Sequence, residues 1–437
     1  MKNITHFVFC YLLCSGIVFS QQEKGIFGVN NWLHNWTEFQ PNQEDYGEAA
    51  EILSGNINKD TKLFKRNVYL LMGNVFVTNN ATLTIEPGTV IIGDYETKGA
   101  LIITKGATLV ADGLETDPIV FTSNRSRKKP GDWGGLILLG EAPTNKFGNG
   151  SVASFFPGLS PEHYANTNFG GDNTYSHSGI LRFVRIEYAG ARIGRGKYFP
   201  ALLAAGLGKT TLIDHVMVSY AGGKSFEVWG GNFEMNQVVS YRASEVDFLF
   251  NYGAQVFMNN SLAVRSPYTS HSSGSKSLHI YSYTSKDEVD FSKPGTKITA
   301  TNLTMINTTD DLAGDISKGL IKEAIFVGHN TALDMKRSVL SGFSPAVVFD
   351  QKVKVNQENL DKIKFSEMYF NNCNGNIFVE NFTNNDDLEN WYGNPAFFNV
   401  YSKGLDSETF IDVFNNKRPD FRLRINQIMA TNDPGDK

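Results

Sequence analysis

An all-β solenoid is the fold this sequence predicts, and three observations predict it. Between residues 82 and 123, four runs of β-branched and aliphatic residues (83–85, 90–92, 101–104 and 119–122) follow one another with no room for a helix between them. Each run is closed by turn residues, among them Pro87-Gly88, Lys105-Gly106 and Asp112-Gly113, where Gly permits positive φ and Pro presets the bend. Further on the chain keeps a beat. Aligning Arg185-Ile186-Glu187-Tyr188 with Met217-Val218-Ser219-Tyr220, Val238-Val239-Ser240-Tyr241 and Ser261-Leu262-Ala263-Val264 gives spacings of 32, 21 and 23 residues. A repeat of roughly 20–30 residues is the period of a coil in a parallel β-helix. Alternation within the runs predicts that Ile186, Val218, Val239 and Leu262 pile up along the axis.

The rest of the composition agrees. A chain of 437 residues exceeds what one compact core needs, yet no composition break divides it, and a solenoid escapes that limit because each coil buries side chains against its neighbours. The 41 Gly suit frequent turns, and 19% charged residues is low for a helical protein. Forty basic against 45 acidic residues give a net charge of −5, which argues against nucleic acid as a partner.

In chain order, residues 7–19 (FVFCYLLCSGIVF) follow Lys2 as an apolar run too short to span a membrane, which predicts a signal peptide over 1–20 and export. Removing it takes away Cys10 and Cys14 and leaves Cys373 alone, so no disulfide is expected. No second run is long enough for a transmembrane segment. Residues 21–66 are polar and aromatic, with Trp32, Trp36, Phe39 and Tyr46, and read as an N-terminal cap, with a short amphipathic helix expected over 43–53. The rival reading is an aromatic glycan-binding platform. The β-helix is expected over 67–350, with a Gly-, Asn- and Ser-rich excursion at 141–178, an insertion near 192–200 and a Ser-rich loop at 266–295. Residues 351–437 read as a C-terminal cap and tail, disordered over 431–437.

The motifs TLTIEPGTVI (82–91), GALIITKGATLVADG (99–113), DPIVFTSN (117–124) and GDWGGLILLG (131–140) resemble a family of secreted right-handed parallel β-helix, pectin-lyase-like proteins of Bacteroidetes, and the similarity continues to about residue 350. The resemblance implies the handedness of the coil, an envelope setting and an association with TonB-dependent outer-membrane receptors, but it lends no settled activity. Relatives carry acid-rich stretches where this chain has residues 244–250 and 270–276, of which only Asp247 and Phe248 match. No cofactor is therefore expected, and calcium, which those acids imply for relatives, is doubtful here. The chain end does not resemble the sorting domain of many relatives, so periplasm, outer-membrane surface and extracellular space stay open as locations.

Residues for chemistry are few. GLGKTT (206–211) lacks the Gly that a phosphate loop needs five positions before Gly208, where Leu203 stands. The seven histidines after the leader never fall at the i, i+2 or i, i+4 spacing of a metal site. A lyase groove acting on acidic polysaccharide needs a cation to neutralise a carboxylate and a base for the adjacent proton. Arg242 and Arg265 occupy equivalent places in neighbouring coils, roughly 5 Å apart, with Asp247, His271 and Lys276 near the same edge. Phe226 and Trp229 are candidates for stacking on sugar rings, together with Arg242 and Arg265 as ligand-binding residues. The leading expectation is an exported, non-catalytic binding or structural protein that recognises an extended glycan or an outer-membrane partner, and the alternative is a polysaccharide lyase or glycoside hydrolase.

Overall fold

The computed structural model describes residues 23–269, 276–382 and 385–424. The expected leader at 1–20, His271 and the tail at 431–437 lie outside the described residues. Within them the chain winds as a right-handed parallel β-helix of three sheets, and successive coils pair strand on strand. The first sheet runs through 184–187, 216–219, Val239–Tyr241, Leu262–Arg265, Thr304–Asn307, Val339–Ser341 and Tyr369–Asn371. The second includes Leu202–Ala205, Phe226–Trp229, Phe248–Asn251, Leu278–Ile280, Ile325–Val327, Val347–Phe349 and Ile377–Val379. The third includes Asn232–Asn236, Gln255–Asn259, Lys297–Thr301, Ala332–Lys336 and Ile363–Ser366. Strands begin at Glu51–Ile57 and the ladder reaches Val400–Ser402, beyond both ends of the 67–350 span.

Alternation sends every second side chain into one continuous core that extends from Leu53 to Tyr392. The chain turns between the third and first sheets on one left-handed residue per coil: Phe183, His215, Gln237, Asn260, Asn302, Arg337 and Glu367, all with φ between 47° and 59°. None of these is glycine, so each coil accepts a costly backbone state in exchange for a one-residue corner.

The expected pile of Ile186, Val218, Val239 and Leu262 is only half right. Ile186 lies on Val218, but Val218 lies on Ser240, and Ser240 lies on Ala263. Val239 and Leu262 belong to the neighbouring column with Met217 and point out of the coil. The repeat between Met217 and Val239 is therefore one residue longer than the tyrosine-based alignment made it, and a slip of one exchanges the two faces of a strand. Val239 and Leu262 misled the pattern because they are apolar and fully buried although they face outwards.

What buries them is the N-terminal segment. The helix expected over 43–53 is absent. Pro41–Gln43 makes a single 3-10 turn and Glu51–Ile57 is a strand paired with Val68–Val77, since pairing with the next coil satisfies the backbone where local helix preference has no partner face to bury. Residues 23–40 do not close the first coil. They lie lengthwise along the first sheet, packing Ile26, Leu33, Trp36 and Phe39 on Met217, Val239, Tyr241, Leu262 and Val339. Side chains at the corner grip this strap: Asn260 Nδ2 donates to the Phe27 carbonyl, and Asn302 Nδ2 donates to those of Glu23 and Gly25. The C-terminal hairpin, Phe410–Asp412 with Asp420–Leu423, packs on the same sheet beside it. Asn31 Nδ2 donates to the Pro419 carbonyl, and Arg422 Nη1 donates to that of Gly28. At the far end the helix Asp386–Tyr392 adds Leu388 and Tyr392 to the core. Among the described residues Cys373 is a free, buried thiol, pushed up to about 11 by that burial, and no helix is long and apolar enough to cross a membrane.

Candidate functional site

Arg242 and Arg265 do occupy neighbouring rungs, because Arg242 N–H donates to the Val264 carbonyl, yet their side chains part. Arg242 has φ of 55° and folds its half-buried guanidinium over Tyr241, 5.0 Å from the ring centre. Arg265 turns inwards, where Nη1 lies 2.9 Å from Asp247 Oδ2 and Nη2 donates to the Ala243 carbonyl. Asp247 also accepts from Ser240 Oγ at 2.6 Å, and burial raises its carboxyl above the ordinary range against the pull of Arg265. This pair is sealed in the wall and does not face a groove. The inward Ser240 that broke the expected column belongs to the same network, with its Oγ also 2.7 Å from Ser225 Oγ.

Lys276 reaches Glu323 at 2.9 Å rather than joining Arg242, and His271 lies outside the described residues. Phe226 is core, stacked on Phe248 at 5.2 Å. Trp229 faces outwards on the same strand and is half-buried beneath the 141–178 excursion, stacked on Phe155 at 5.5 Å with Tyr252 edge-on at 5.7 Å. Its indole N–H donates to Glu227 Oε1. Of the four catalytic candidates among the described residues, then, the side chains of Asp247 and Arg265 come together, and the Lys276 carbonyl accepts from Arg265 Nη1 and from the Asp247 N–H.

The same strand leads to a second arrangement. The excursion and the 192–198 hairpin cover the early rungs of the second sheet, where Phe156, Phe169 and Phe199 pack on Ile137 and Leu203. Along the outward column that continues from Glu227 through Leu249, His279, Phe326, Val348 and Phe378, side chains become half-buried from His279 onwards. His279 meets Tyr281 at 5.0 Å and Phe326 edge-on at 5.1 Å. Burial, helped by the nearby charges of Lys276 and Lys224, pushes the His279 imidazole down to about 3, so the ring is neutral. Ion pairs rim the strip: Lys224 with Glu227 and Glu245, and Lys276 with Glu323.

At the corner beyond it, His329 Nε2 lies 2.6 Å from Tyr283 Oη, and His329 Nδ1 lies 3.1 Å from Asp350 Oδ2. Asp350 is itself held by the Lys352 N–H on Oδ1. Burial, then the charge of Asp350, raises the Tyr283 phenol, which favours its neutral form as donor to the imidazole. Sequence reasoning passed over these three residues because 46 and 21 positions separate the contacting pairs, and no local spacing encodes a contact made only by coiling. For the strip a signal was present, the alternation of His279, Tyr281 and Tyr283 in one strand and its continuation.

A family model described as a pectate-lyase-like β-helix domain matches residues 55–397. The chain belongs to that family. No curated protein and no solved structure matches it. The pectate-lyase-like domain thus takes in both the Arg265–Asp247 pair and the ring strip, and leaves outside it the strap and the C-terminal hairpin. Among the described residues no three or more His, Cys, Asp or Glu gather as a metal site would require.

Proposed function

We propose that this chain is an exported recognition protein of the cell envelope that binds an extended glycan along the outward face of its second sheet. The observation that carries this reading is the strip of rings from Tyr252 through Tyr281, His279 and Phe326, beyond the excursion that covers Trp229. They stand on rungs about 4.8 Å apart, each fixed by ring contacts and by partial burial. Fixed rings lose little freedom when a sugar stacks on them, and the flanking Lys–Glu pairs offer hydroxyl partners on either side. Export rests on the apolar leader at 7–19, and a TonB-dependent receptor is the envelope partner that the family resemblance supports. The test is retention of the protein on a panel of insoluble and immobilised polysaccharides. A His279→Ala/Phe326→Ala variant with an unchanged circular dichroism spectrum is expected to lose retention, and retention at the native level would reject the strip as the site.

One observation favours a catalytic second reading, the Asp350–His329–Tyr283 relay. In such a relay the phenol can pass its own proton to His329 Nε2 while its oxygen takes the proton beside a sugar carboxylate. The electron pair of that C–H bond forms the double bond and expels the glycosidic oxygen, which takes a proton from water. New unsaturated ends that disappear in Tyr283→Phe would establish that chemistry. Intact polysaccharide with normal retention would leave binding as the function.

A further inference from the structure

On the third sheet, away from the ring strip, the outward column Gln255, Lys297, Ala332 continues to Lys362. Ala332 is a gap one side chain deep between two lysines that stand two rungs apart, roughly 9–10 Å along the axis. Lys352 comes from the turn after Val347–Phe349, and His329 forms part of the wall. Together they line a cleft of about 460 Å³. None of its lining residues is acidic, although the chain as a whole carries a net charge of −5. Among the described residues neither the Lys297 nor the Lys352 ammonium meets a carboxylate, and the one partner of Lys362, Glu358, has 77% of its side chain exposed. An acidic protein that leaves two of the three ammonium groups around one notch without a carboxylate, and pairs the third only with an exposed one, has a place for a negative group.

We propose that the notch over Ala332 is a binding site for a linear glycan carrying carboxylate or sulfate groups, with one anionic group between Lys297 and Lys352 and the next against Lys362. The flat sheet lets a polymer lie along the column, and charges on alternate rungs fit a repeating anion better than a single small ion. A lipid surface would need apolar anchors beside the lysines, but the apolar lining residues Val353 and Ile363 are buried, at 7% and 2% exposure. This site differs from the ring strip in place and in chemistry: it selects for charge, whereas the rings select for a sugar face.

Titration calorimetry of the full chain with polygalacturonate, dextran sulfate and neutral dextran tests it at low salt. The two polyanions are expected to bind and neutral dextran is not. Lys297→Ala/Lys352→Ala is expected to weaken polyanion binding at least about tenfold, and salt should do the same. Lys59→Ala/Lys105→Ala removes the same charge from exposed positions elsewhere and should change nothing. Ala332→Leu keeps every charge and fills the notch, so it should also lose the ligand. Equal binding by wild type, the Lys297/Lys352 variant and Ala332→Leu would overturn the proposal, as would binding to anionic phosphatidylglycerol vesicles as tight as that to dextran sulfate. His279→Ala/Phe326→Ala should leave polyanion binding at this notch intact, which separates failure here from failure of the ring strip.

Discussion

Arg265 and Asp247 meet at 2.9 Å in the wall of the helix, with 2% and 0% of their side chains exposed. Removing one partner from such a pair leaves a buried charge without compensation. Asp247→Ala is therefore expected to cost about 3–5 kcal/mol, seen as a lowered denaturant midpoint. Arg242→Ala, one rung away, should cost under about 1 kcal/mol because its guanidinium lies half-exposed over Tyr241. Equal losses from the two substitutions would contradict the division between an inward and an outward arginine.

Glu187 gives the fold a pH dependence. It is 1% exposed beneath the strap, and burial raises its carboxyl to about 7, with the Arg185 guanidinium 3.3 Å away pulling in the other direction. Thr122 and Ser219 flank it on the sheet, Tyr46 accepts from Arg185 above it, and Glu38 and Lys128 contribute charge from the surroundings. A folded-state value above the unfolded one means that its favourable contribution is complete below the unfolded value and is lost as pH rises through about 7. Melting temperature should therefore fall between pH 5 and 8 more steeply in the wild type than in Glu187→Gln. At pH 8 the difference is on the order of 3 kcal/mol. Parallel pH profiles would show that the carboxyl does not titrate there.

Trp36 anchors the strap. It is fully buried, stacks on Trp32 at 6.2 Å, lies 5.4 Å from His215, and its indole N–H donates to the Trp32 carbonyl. Trp36→Ala should loosen residues 23–44 while leaving the coils paired. Limited proteolysis is expected to cut within that segment much faster, with the main melting transition retained. Collapse of the whole transition would place the strap inside the cooperative core.

Gly99 tests how closely the coils approach. A Cβ there would come within 1.8 Å of the Gly73 carbonyl oxygen, a backbone atom that has no rotamer to change. Gly99→Ala should cost about 1–3 kcal/mol in a denaturation series. Gly148→Ala, where nothing lies within 4 Å but φ is 66°, should cost only what a left-handed alanine costs, about 1–2 kcal/mol.

The coil itself was legible because apolar alternation and turn chemistry are local, and residues 82–123 show both. Register was less so. A column read from matching tyrosines set Val238 beside Met217, when the true partner is Val239, because sequence shows an apolar residue without showing which face buries it. The strap supplies an outer core, and an outer core writes the same letters as an inner one. Arg265 and Asp247 were legible as neighbours but not as a closed pair, and Tyr283, His329 and Asp350 could be brought together only by winding the chain. Trp229 held its place on the second sheet, but Phe155 of the excursion that covers it lies 74 residues earlier, in a segment that carries no pattern announcing its target.

The strap also sets an order of events. Lys24 Nζ donates to the carbonyls of Met368 and Phe398, and Gly25 N–H donates to that of Arg337, so residues translated near the start dock on rungs made near the end. Coils can stack as they emerge, but the start of the strap, Lys24 and Gly25, has nowhere to lie until the solenoid is almost complete. A chain cut short after residue 300 would keep its early rungs, with Trp36 on His215 and Phe39 on Tyr241, but would leave Lys24, Gly25 and Ile26 without the rungs they dock on. The lengthwise seam is thus a check that the whole molecule has been made.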